Sequence, residues 1–178
     1  KSRGNVIDPD KQVGKYGADT VRAYLMFGYS WADGGPWGTE NIEGVSRWLN
    51  RVWTLAVENP KSRNPNSNAD DARALKRATH QTIKKVTNDF EAYEFNTIVS
   101  ALMVLTNALY KYRETTEGTP EWDEAVNTLL KLTAPVTPHI AEELWARRGL
   151  PYSIHQQNWP VYDPAAAADE VITLVVQV

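Results

Sequence analysis

Residues 1–5, with the sequence KSRGN, combine side chains that could clamp a phosphate. Lys1 carries a compact cation on a flexible stem, which can follow a phosphate as that group moves. Ser2 can donate a hydrogen bond, and Gly4 lets the backbone approach a ligand closely. At 4 Å, opposite unit charges attract by roughly 4 kcal/mol at an effective dielectric near 20, so such a loop could stabilise a leaving phosphate. The alternative for these five residues is a solvated basic terminus.

Composition limits the other chemistry available. The chain has 178 residues, 42% hydrophobic and 23% charged, as expected for a folded protein of one domain or one domain with an appendage. It has no Cys, which excludes disulfides, thiolate nucleophiles and cysteine zinc sites. Its three His are too far apart in sequence for a short metal motif. No apolar run approaches the ~20 residues that span a bilayer, so we expect a cytoplasmic protein without membrane contact.

Helical periodicity dominates the chain from Pro9 onward. Asp8-Pro9, Pro120 and Thr137-Pro138 are helix-start signals, since Asp or Thr can cap and Pro suits the first helical position. Gly17, Pro60, Gly118 and Gly149 are typical stops. Short loops between helices favour antiparallel neighbours. We therefore predict a mainly α fold: about five helices in an antiparallel bundle, preceded by a loop–helix–helix module.

The last nine residues, EVITLVVQV, have a different pattern. They are β-branched and apolar, which predicts a short terminal β-strand. An unpaired apolar strand is an aggregation hazard, so we expect it to be the truncated start of another domain. These patterns divide the chain into residues 1–38, residues 39–166 and residues 167–178.

Seven Trp are many for this length. Trp48, Trp53 and Trp145 fall within apolar helical stripes and are predicted to lie in the core. Trp53→Ala is then expected to cost about 3–5 kcal/mol. Trp31 and Trp37 flank a glycine-rich loop and are expected to anchor it on the core.

Cationic side chains recur on the polar faces of the predicted helices. Arg47 and Arg51 are four residues apart, as are Arg73 and Arg77, so each pair shares a helix face. The other candidate positions are Lys76, Lys84, Lys85, Lys111, Arg113, Arg147 and Arg148. These faces could contact nucleic-acid phosphates, or they could be solvated surfaces balanced by Asp and Glu. The net charge of −3 means that nucleic-acid binding would depend on local patches.

Several blocks resemble one family. The stretch KSRGNVIDPDKQVGKYGADTVRAYLMF resembles the signature loop and following helices of class I aminoacyl-tRNA synthetases. Lys1 and Ser2 match the last two residues of the signature Lys-Met-Ser-Lys-Ser; its first three are absent. The blocks WADGGPWGTENIEGVSRWLNRVW, APVTPHIAEELW, SIHQQNWPVYDP and EVITLVVQV look like the bacterial leucyl-tRNA synthetase family. Valyl or isoleucyl members are the alternative, as is a helical module that binds a protein partner and no RNA.

The resemblance implies an activity for the longer enzyme, which joins leucine to its tRNA using ATP with Mg. Lys1 would stabilise the triphosphate, and Ser2 would assist it as a second ATP-binding residue. The bundle of residues 39–166 would be an anticodon-binding-type domain for leucine-accepting tRNA. Its candidate contacts are Arg47, Arg51, Arg73, Arg77, Lys84 and Lys85.

The resemblance also implies missing parts. The family's second ATP motif, its leucine pocket and its nucleotide-binding sheet have no counterpart in the chain. We therefore expect a fragment that begins inside the signature loop, is inactive by itself and holds no cofactor. ATP and leucine would be bound by the missing catalytic domain.

Overall fold

A computed structural model describes residues 7–35, 37–57 and 66–169. Within these ranges the chain forms eight α-helices and one short 3-10 turn, and no strand is found there, so the predicted mainly α fold is confirmed. The helices are α1 (Pro9–Tyr16), α2 (Ala18–Phe27), α3 (Thr39–Val57), α4 (Ala69–Glu91), α5 (Phe95–Thr116), α6 (Pro120–Thr133), α7 (Pro138–Arg147) and α8 (Pro164–Ala167). The 3-10 turn is Ile154–Gln156. The predicted terminal strand lies outside the described residues.

Most helix starts follow the local signals in the sequence. Asp8 Oδ1 accepts the N–H of the second residue of α1 at 3.0 Å. Asn68 Oδ1 accepts two N–H groups in the first turn of α4, and Thr119 Oγ1 accepts one in α6. Gly17, at φ +86°, is the single residue between α1 and α2, and side chains other than hydrogen are strained in that conformation. These contacts satisfy backbone donors that a helix cannot satisfy internally.

One buried cluster runs through the bundle. α4 packs against α5 and α6, whereas α3 packs against α5 and α7. α2 joins the same core through Val21, Ala23 and Tyr24, so the first two helices rest directly on the bundle. The largest side chains with almost no exposure are Tyr24, Ile42, Leu55, Leu75, Ile98, Leu102, Leu105, Leu109, Trp122, Leu129, Leu130 and Leu132. Each such side chain contributes about 1.5–3 kcal/mol by its burial.

The tryptophan predictions have mixed outcomes. Trp48 and Trp145 are buried as predicted. Trp53 is only partly buried, so the prediction of a core position was wrong: it packs at the edge of the core, with the Arg147 guanidinium 5.1 Å from its ring centroid. Trp31 is 61% exposed and does not anchor its loop in the core. Its ring contacts the Phe95 ring at a tilt of 57°, with the ring centroids 4.6 Å apart.

The loop between α2 and α3 is held by tyrosines. Tyr24 Oη accepts the Gly38 N–H at 2.9 Å, and the Tyr29 hydroxyl donates to Tyr24 Oη at 3.4 Å. Trp37 packs edge-on against Tyr24 at 4.7 Å. A β-carbon on Gly35 would lie 2.1 Å from the Tyr29 ring, which explains why glycine stands there. Burial, and then the hydrogen bond with Tyr24, raise the pKa of Tyr29 to about 12.

Trp48 and Trp53 offer a matched test of core burial. Trp48→Ala is expected to lower the free energy of unfolding by about 3–5 kcal/mol, because it also removes the Nε1–H donor to Thr106 Oγ1 at 2.9 Å. Trp53→Ala should cost only about 1–2 kcal/mol, because part of that ring already contacts solvent. Urea denaturation followed by circular dichroism measures both values. Equal losses would contradict the partial exposure of Trp53.

Tyr29 should make stability depend on alkaline pH. The unfolded chain releases the phenolic proton near the ordinary pKa of 10, whereas the folded chain keeps it until about pH 12. The free energy of unfolding should therefore fall as pH rises from about 10 to about 12, and this component should be absent in Tyr29→Phe. Denaturation across this range tests it, with Tyr93→Phe as the control because Tyr93 is 74% exposed. Identical pH curves for the wild type and Tyr29→Phe would refute the assignment.

Candidate nucleic-acid interface

The basic residues of α4 form one surface row. We call Arg73, Lys76, Arg77, Lys84 and Lys85 the α4 cation row; it spans about 18 Å of helix at 1.5 Å per residue. Arg73, Lys84 and Lys85 are exposed, and Lys76 and Arg77 are half-buried. The helical period places all except Lys85 within about a third of the circumference. Of the six predicted contacts, Arg73, Arg77 and Lys84 thus share one face of α4, and Lys85 lies on the same helix outside that face.

Acidic neighbours partly balance this row. Arg73 pairs with the exposed Asp70, and Lys85 Nζ donates to Asp89 Oδ1 at 2.7 Å. Asp89 is buried and is held by the Thr97 hydroxyl at 2.6 Å, so the Lys85 ammonium has a fixed partner. An exposed ion pair such as Arg73–Asp70 contributes little stability, so the arginine can exchange Asp70 for a phosphate at small cost. The expectation of faces balanced by acids therefore holds for Arg73 and Lys85.

The segment that ends in α8 packs along α4 and forms one wall of two grooves beside the row. Gln81 Nε2 donates to the Ala167 carbonyl at 3.1 Å and to Asp169 Oδ1 at 2.8 Å. The Asp163 N–H donates to His80 Nδ1 at 3.0 Å. The grooves have volumes of about 400 Å³ and 390 Å³. Each has cations of the row on the α4 side.

Cationic and aromatic groups meet in the first groove. Its lining includes Lys84, Lys85, Asn88 and Tyr162. The Lys84 ammonium lies 5.7 Å from the Tyr162 ring centroid, which is within the range of a cation–π contact. Proteins that bind single-stranded nucleic acids combine cations, which contact phosphates, with aromatic rings, on which bases stack. The Tyr162 ring is half-buried, so only part of it is open to such a contact.

The two remaining candidates lie apart from the row. Arg47 and Arg51 are on α3. This helix packs against α5 and α7, so both arginines lie apart from the α4 cation row. Arg47 is exposed, whereas Arg51 is half-buried with its guanidinium 4.5 Å from the Tyr110 ring centroid. The Tyr110 hydroxyl donates to the Arg51 carbonyl at 3.2 Å, so this arginine also holds α3 to α5.

Other basic positions serve the bundle itself. Arg148 is 10% exposed and donates to Asp123 Oδ1 and Asn127 Oδ1, both at 3.0 Å, across the α6–α7 contact. Arg147 Nε donates to Glu143 Oε1 at 2.6 Å on α7. A nearly buried arginine with two acceptors cannot reach a phosphate without breaking these bonds. The sequence alone did not distinguish a cation that bonds within the bundle, such as Arg148, from the cations that are exposed on its surface.

Sequence reasoning missed Asp19, which is only 5% exposed. Asp19 Oδ2 accepts the Ile140 N–H at 2.7 Å in the first turn of α7, and Asp19 Oδ1 accepts from His139 Nδ1 at 2.8 Å. The local signal predicted a cap from Thr137, but the Thr137 side chain makes no capping bond; its hydroxyl donates to the Thr133 carbonyl. The carboxylate that caps α7 therefore comes from α2.

Arg22 is the second missed residue. Its Nε and Nη2 donate to the carbonyls of Val136 at 3.3 Å and Pro135 at 3.1 Å, in the turn between α6 and α7. Asp19 and Arg22 are three residues apart and share one face of α2. We call these contacts the α2–α7 joint. No local pattern in the sequence pointed to these contacts, because their partners are more than 100 residues apart.

The predicted ATP-loop residues, Lys1 and Ser2, lie outside the described residues. In residues 7–35, 37–57 and 66–169, no group of three or more His, Asp or Glu side chains is placed to hold a metal ion. No helix in those ranges is long and apolar enough to cross a membrane.

Comparisons with known proteins place the chain in a family. The family "Anticodon-binding domain of tRNA ligase" matches residues 72–178. Leucine–tRNA ligases from Dehalococcoides mccartyi and Deinococcus radiodurans are 52% and 50% identical to the chain, and each alignment covers 100% of it. The chain spans about a fifth of the length of these curated relatives, 22% in each case.

Solved structures agree on the fold. A crystal structure of the ternary complex of Agrobacterium radiobacter K84 agnB2 LeuRS, tRNA and LeuAMS has a TM-score of 0.81 and 30% identity, covering 94% of this chain and 22% of that one. The apo methionyl-tRNA synthetase of Mycobacterium tuberculosis has a TM-score of 0.62 over 89% of this chain and 41% of its own. At 19% identity it supports the fold only.

The resemblance predicted from the sequence blocks is therefore confirmed. Both of these relatives match the whole chain and are leucine–tRNA ligases, which favours that family over the valyl and isoleucyl alternatives. With a matching family domain over residues 72–178 and this helical architecture, the chain belongs to the anticodon-binding domains of tRNA ligases.

Proposed function

We propose that this chain is the tRNA-binding helical region of a leucine–tRNA ligase and supplies the end of its ATP loop. The observation that carries the proposal is identity of 52% with such a ligase over 100% of the chain. Residues 1–38 would be the end of the loop and its connecting helices, and residues 39–166 the tRNA-binding bundle. Residues 167–178 would begin a further domain. The activity would take place in the cytoplasm.

The proposed reaction has two steps. The leucine carboxylate attacks the α-phosphate of ATP, and pyrophosphate leaves. A hydroxyl of the terminal ribose of tRNA then attacks the leucyl carbonyl of the adenylate, and AMP leaves. Lys1 would neutralise charge on the departing phosphates, with Ser2 as a hydrogen-bond donor. Mg would accompany ATP as a counter-charge. The leucine pocket and the rest of the ATP site would belong to other parts of the ligase.

The α4 cation row is the proposed tRNA contact. Phosphate contacts supply much of the affinity of nucleic-acid complexes, and a row of cations can track a phosphate backbone. With a net charge of −3, attraction must come from such a local concentration of charge. Arg47 and Arg51 on α3 would form a second contact, in which the Tyr110 ring holds the Arg51 guanidinium in place before tRNA arrives.

A protein-binding module is the second candidate. Trp31 and Tyr93 are 61% and 74% exposed, and both rings contact Phe95. Exposed aromatic rings of this kind are common in protein interfaces. Titration with tRNA separates the two candidates: binding that weakens steeply with salt supports the tRNA region, and the absence of binding supports the protein module.

Charge removal on the row should reduce both affinity and salt dependence. Each phosphate contact contributes about 0.7–0.9 to the slope of log K against log salt. Arg73→Gln and Lys84→Gln should therefore each reduce the magnitude of that negative slope by about 1 unit. Each should also weaken binding of a leucine-accepting tRNA transcript at low salt. Fluorescence titrations over a salt series measure both quantities.

Lys15→Gln is the matched control for Lys84→Gln. The Lys15 ammonium also lies over a tyrosine ring, 4.6 Å from the centroid of Tyr16, but it belongs to α1. Its slope should equal that of the wild type. Unchanged slopes for Arg73→Gln and Lys84→Gln would rule out the row as the contact.

The chain by itself should not catalyse leucine-dependent exchange of pyrophosphate into ATP. A grafted ligase should do so: the full-length D. mccartyi enzyme in which this chain replaces the matching 22%. In that graft, Lys1→Met should lower kcat of exchange about 10²–10³-fold, as for loss of one charge-stabilising group. Exchange by the isolated chain, or full exchange by the Lys1→Met graft, would contradict the proposal.

A further inference from the structure

We propose that a strip of aromatic rings, where the α2–α3 loop meets the α4–α5 turn, is a docking surface for an arginine-bearing segment of another protein. This aromatic strip consists of Trp31, Phe90, Tyr93 and Phe95. It contains no residue of the α4 cation row. The inference therefore goes beyond tRNA binding and does not rest on the proposed function.

Phe95 lies at the centre of the aromatic strip. The ring centroids of Trp31, Tyr93 and Phe90 are 4.6, 6.0 and 6.3 Å from its own. Phe90 and Phe95 are half-buried against the core, whereas Trp31 and Tyr93 are 61% and 74% exposed. Trp31 Nε1 also donates to the Leu25 carbonyl at 3.3 Å. Two exposed rings are thus held in place before a partner arrives, which lowers the entropy lost on binding.

The backbone of Tyr93 is strained, with φ at +59°. It directly follows the end of α4, and the Glu94 N–H donates back to the Asp89 carbonyl at 2.8 Å. Helices that end with this bond usually place glycine at the left-handed position, because a β-carbon is disfavoured there. Little of the Tyr93 ring is buried to offset the strain. A strained residue that keeps an exposed ring indicates that the ring is used outside the fold.

Exposed carboxylates flank both exposed rings. Asp33 follows Trp31 by two residues, and Glu91 and Glu94 lie on either side of Tyr93 in the sequence. Within the described part of the chain, none of these three carboxylates forms an ion pair or a side-chain hydrogen bond. Their negative charge is therefore available to a partner.

The segments that form the strip supply no positive charge. No Lys or Arg occurs in residues 23–46 or in residues 86–110. The last cation of α4, Lys85, already donates to Asp89 at 2.7 Å. The strip and its flanks are thus acidic and aromatic, and they would repel the phosphates of a nucleic acid.

Arginine fits this combination of groups. A guanidinium stacks on an aromatic face and at the same time pairs with a carboxylate. Alternate side chains of an extended segment share one face at a spacing of roughly 6.7 Å, close to the separation of neighbouring rings in the strip. The strip is short, so a segment of a few residues covers it, whereas a folded domain needs a larger surface.

The acidic end of the strip determines where the arginine side chains bind. At the other end, Trp159 contacts Phe90 with the ring centroids 5.6 Å apart. Trp159 also lines a groove of about 310 Å³ together with Lys131. A cation beside that groove disfavours a second cation, so arginines are expected at Trp31 and Tyr93.

The first test is titration of the chain into a short dye-labelled peptide of alternating arginine and glycine, followed by fluorescence anisotropy. Trp31→Ala and Tyr93→Ala should each weaken binding about 3–10-fold, as for loss of one cation–π contact. A peptide with glutamate in place of arginine should not bind. Tyr152→Ala is the matched control, because Tyr152 is 85% exposed and lies outside the strip. Equal weakening by all three variants would overturn the proposal.

Tyr93→Gly separates binding from folding. Glycine relieves the strain at this position, so Tm should equal or exceed that of the wild type while the peptide binds about 3–10-fold more weakly. A Tm that falls, with peptide affinity unchanged, would show that the ring serves the fold and would contradict the docking role.

Charge-matched variants exclude general attraction to an acidic protein. The Glu94 side chain makes no capping bond, so Glu94→Gln leaves the start of α5 intact. This change should weaken peptide binding and make it less dependent on salt. Asp10→Asn removes the same charge from an exposed site on α1 and should change neither quantity. Equal effects of the two variants would mean that only the net charge attracts the peptide.

Two further measurements identify the occupant. Trp31→Ala and Tyr93→Ala should leave the affinity for a leucine-accepting tRNA transcript unchanged; a loss would assign the rings to RNA and overturn the proposal. The grafted ligase should bind the peptide as the chain does. Binding by the chain alone would mean that the ligase itself covers the strip, which would also overturn it. Peptide binding without any tRNA binding would contradict the proposed function and leave this inference standing.

Discussion

A buried carboxylate holds the architecture together. Asp19 lies where α2 meets α7, and its two oxygens bond one backbone N–H and one imidazole N–H from residues 139 and 140. An unpaired buried charge is costly, so this contact forms only when both helices are correctly placed. Arg22, which is exposed, adds hydrogen bonds to two carbonyls in the turn that precedes α7. The orientation of the first two helices on the bundle follows from these bonds.

The bundle has an apolar interior and an unevenly charged surface. Side chains such as Leu75, Ile98 and Trp122 are almost fully buried, which makes α4, α5 and α6 a rigid support. On that support α4 carries its cation row, although the whole chain has a net charge of −3. Local concentration of charge matters more than the total for steering a polyanion. Other cations of the chain, such as Arg148, link helices within the bundle.

Much of the fold could be predicted because its signals are local. Asp8-Pro9 and Pro120 mark helix starts, and the 3.6-residue period marks the buried faces. Candidate phosphate contacts on α4 could be grouped for the same reason, since spacing along one helix defines a face. The cation row is thus predictable from sequence, whereas its distance from Arg47 and Arg51 is not, because they belong to α3.

The sequence by itself determined the helical class, the approximate bounds of α1 to α7 and the family, because periodicity, helix-start residues and ordered motif blocks are properties of neighbouring residues. The tertiary structure decided which side chains cap or pack against which helices. It gave the cap of α7 to Asp19, 121 residues from Ile140, in place of Thr137, and it left Trp31 and part of Trp53 in contact with solvent. Capping and burial at these positions depend on contacts between distant segments, which no local pattern specifies.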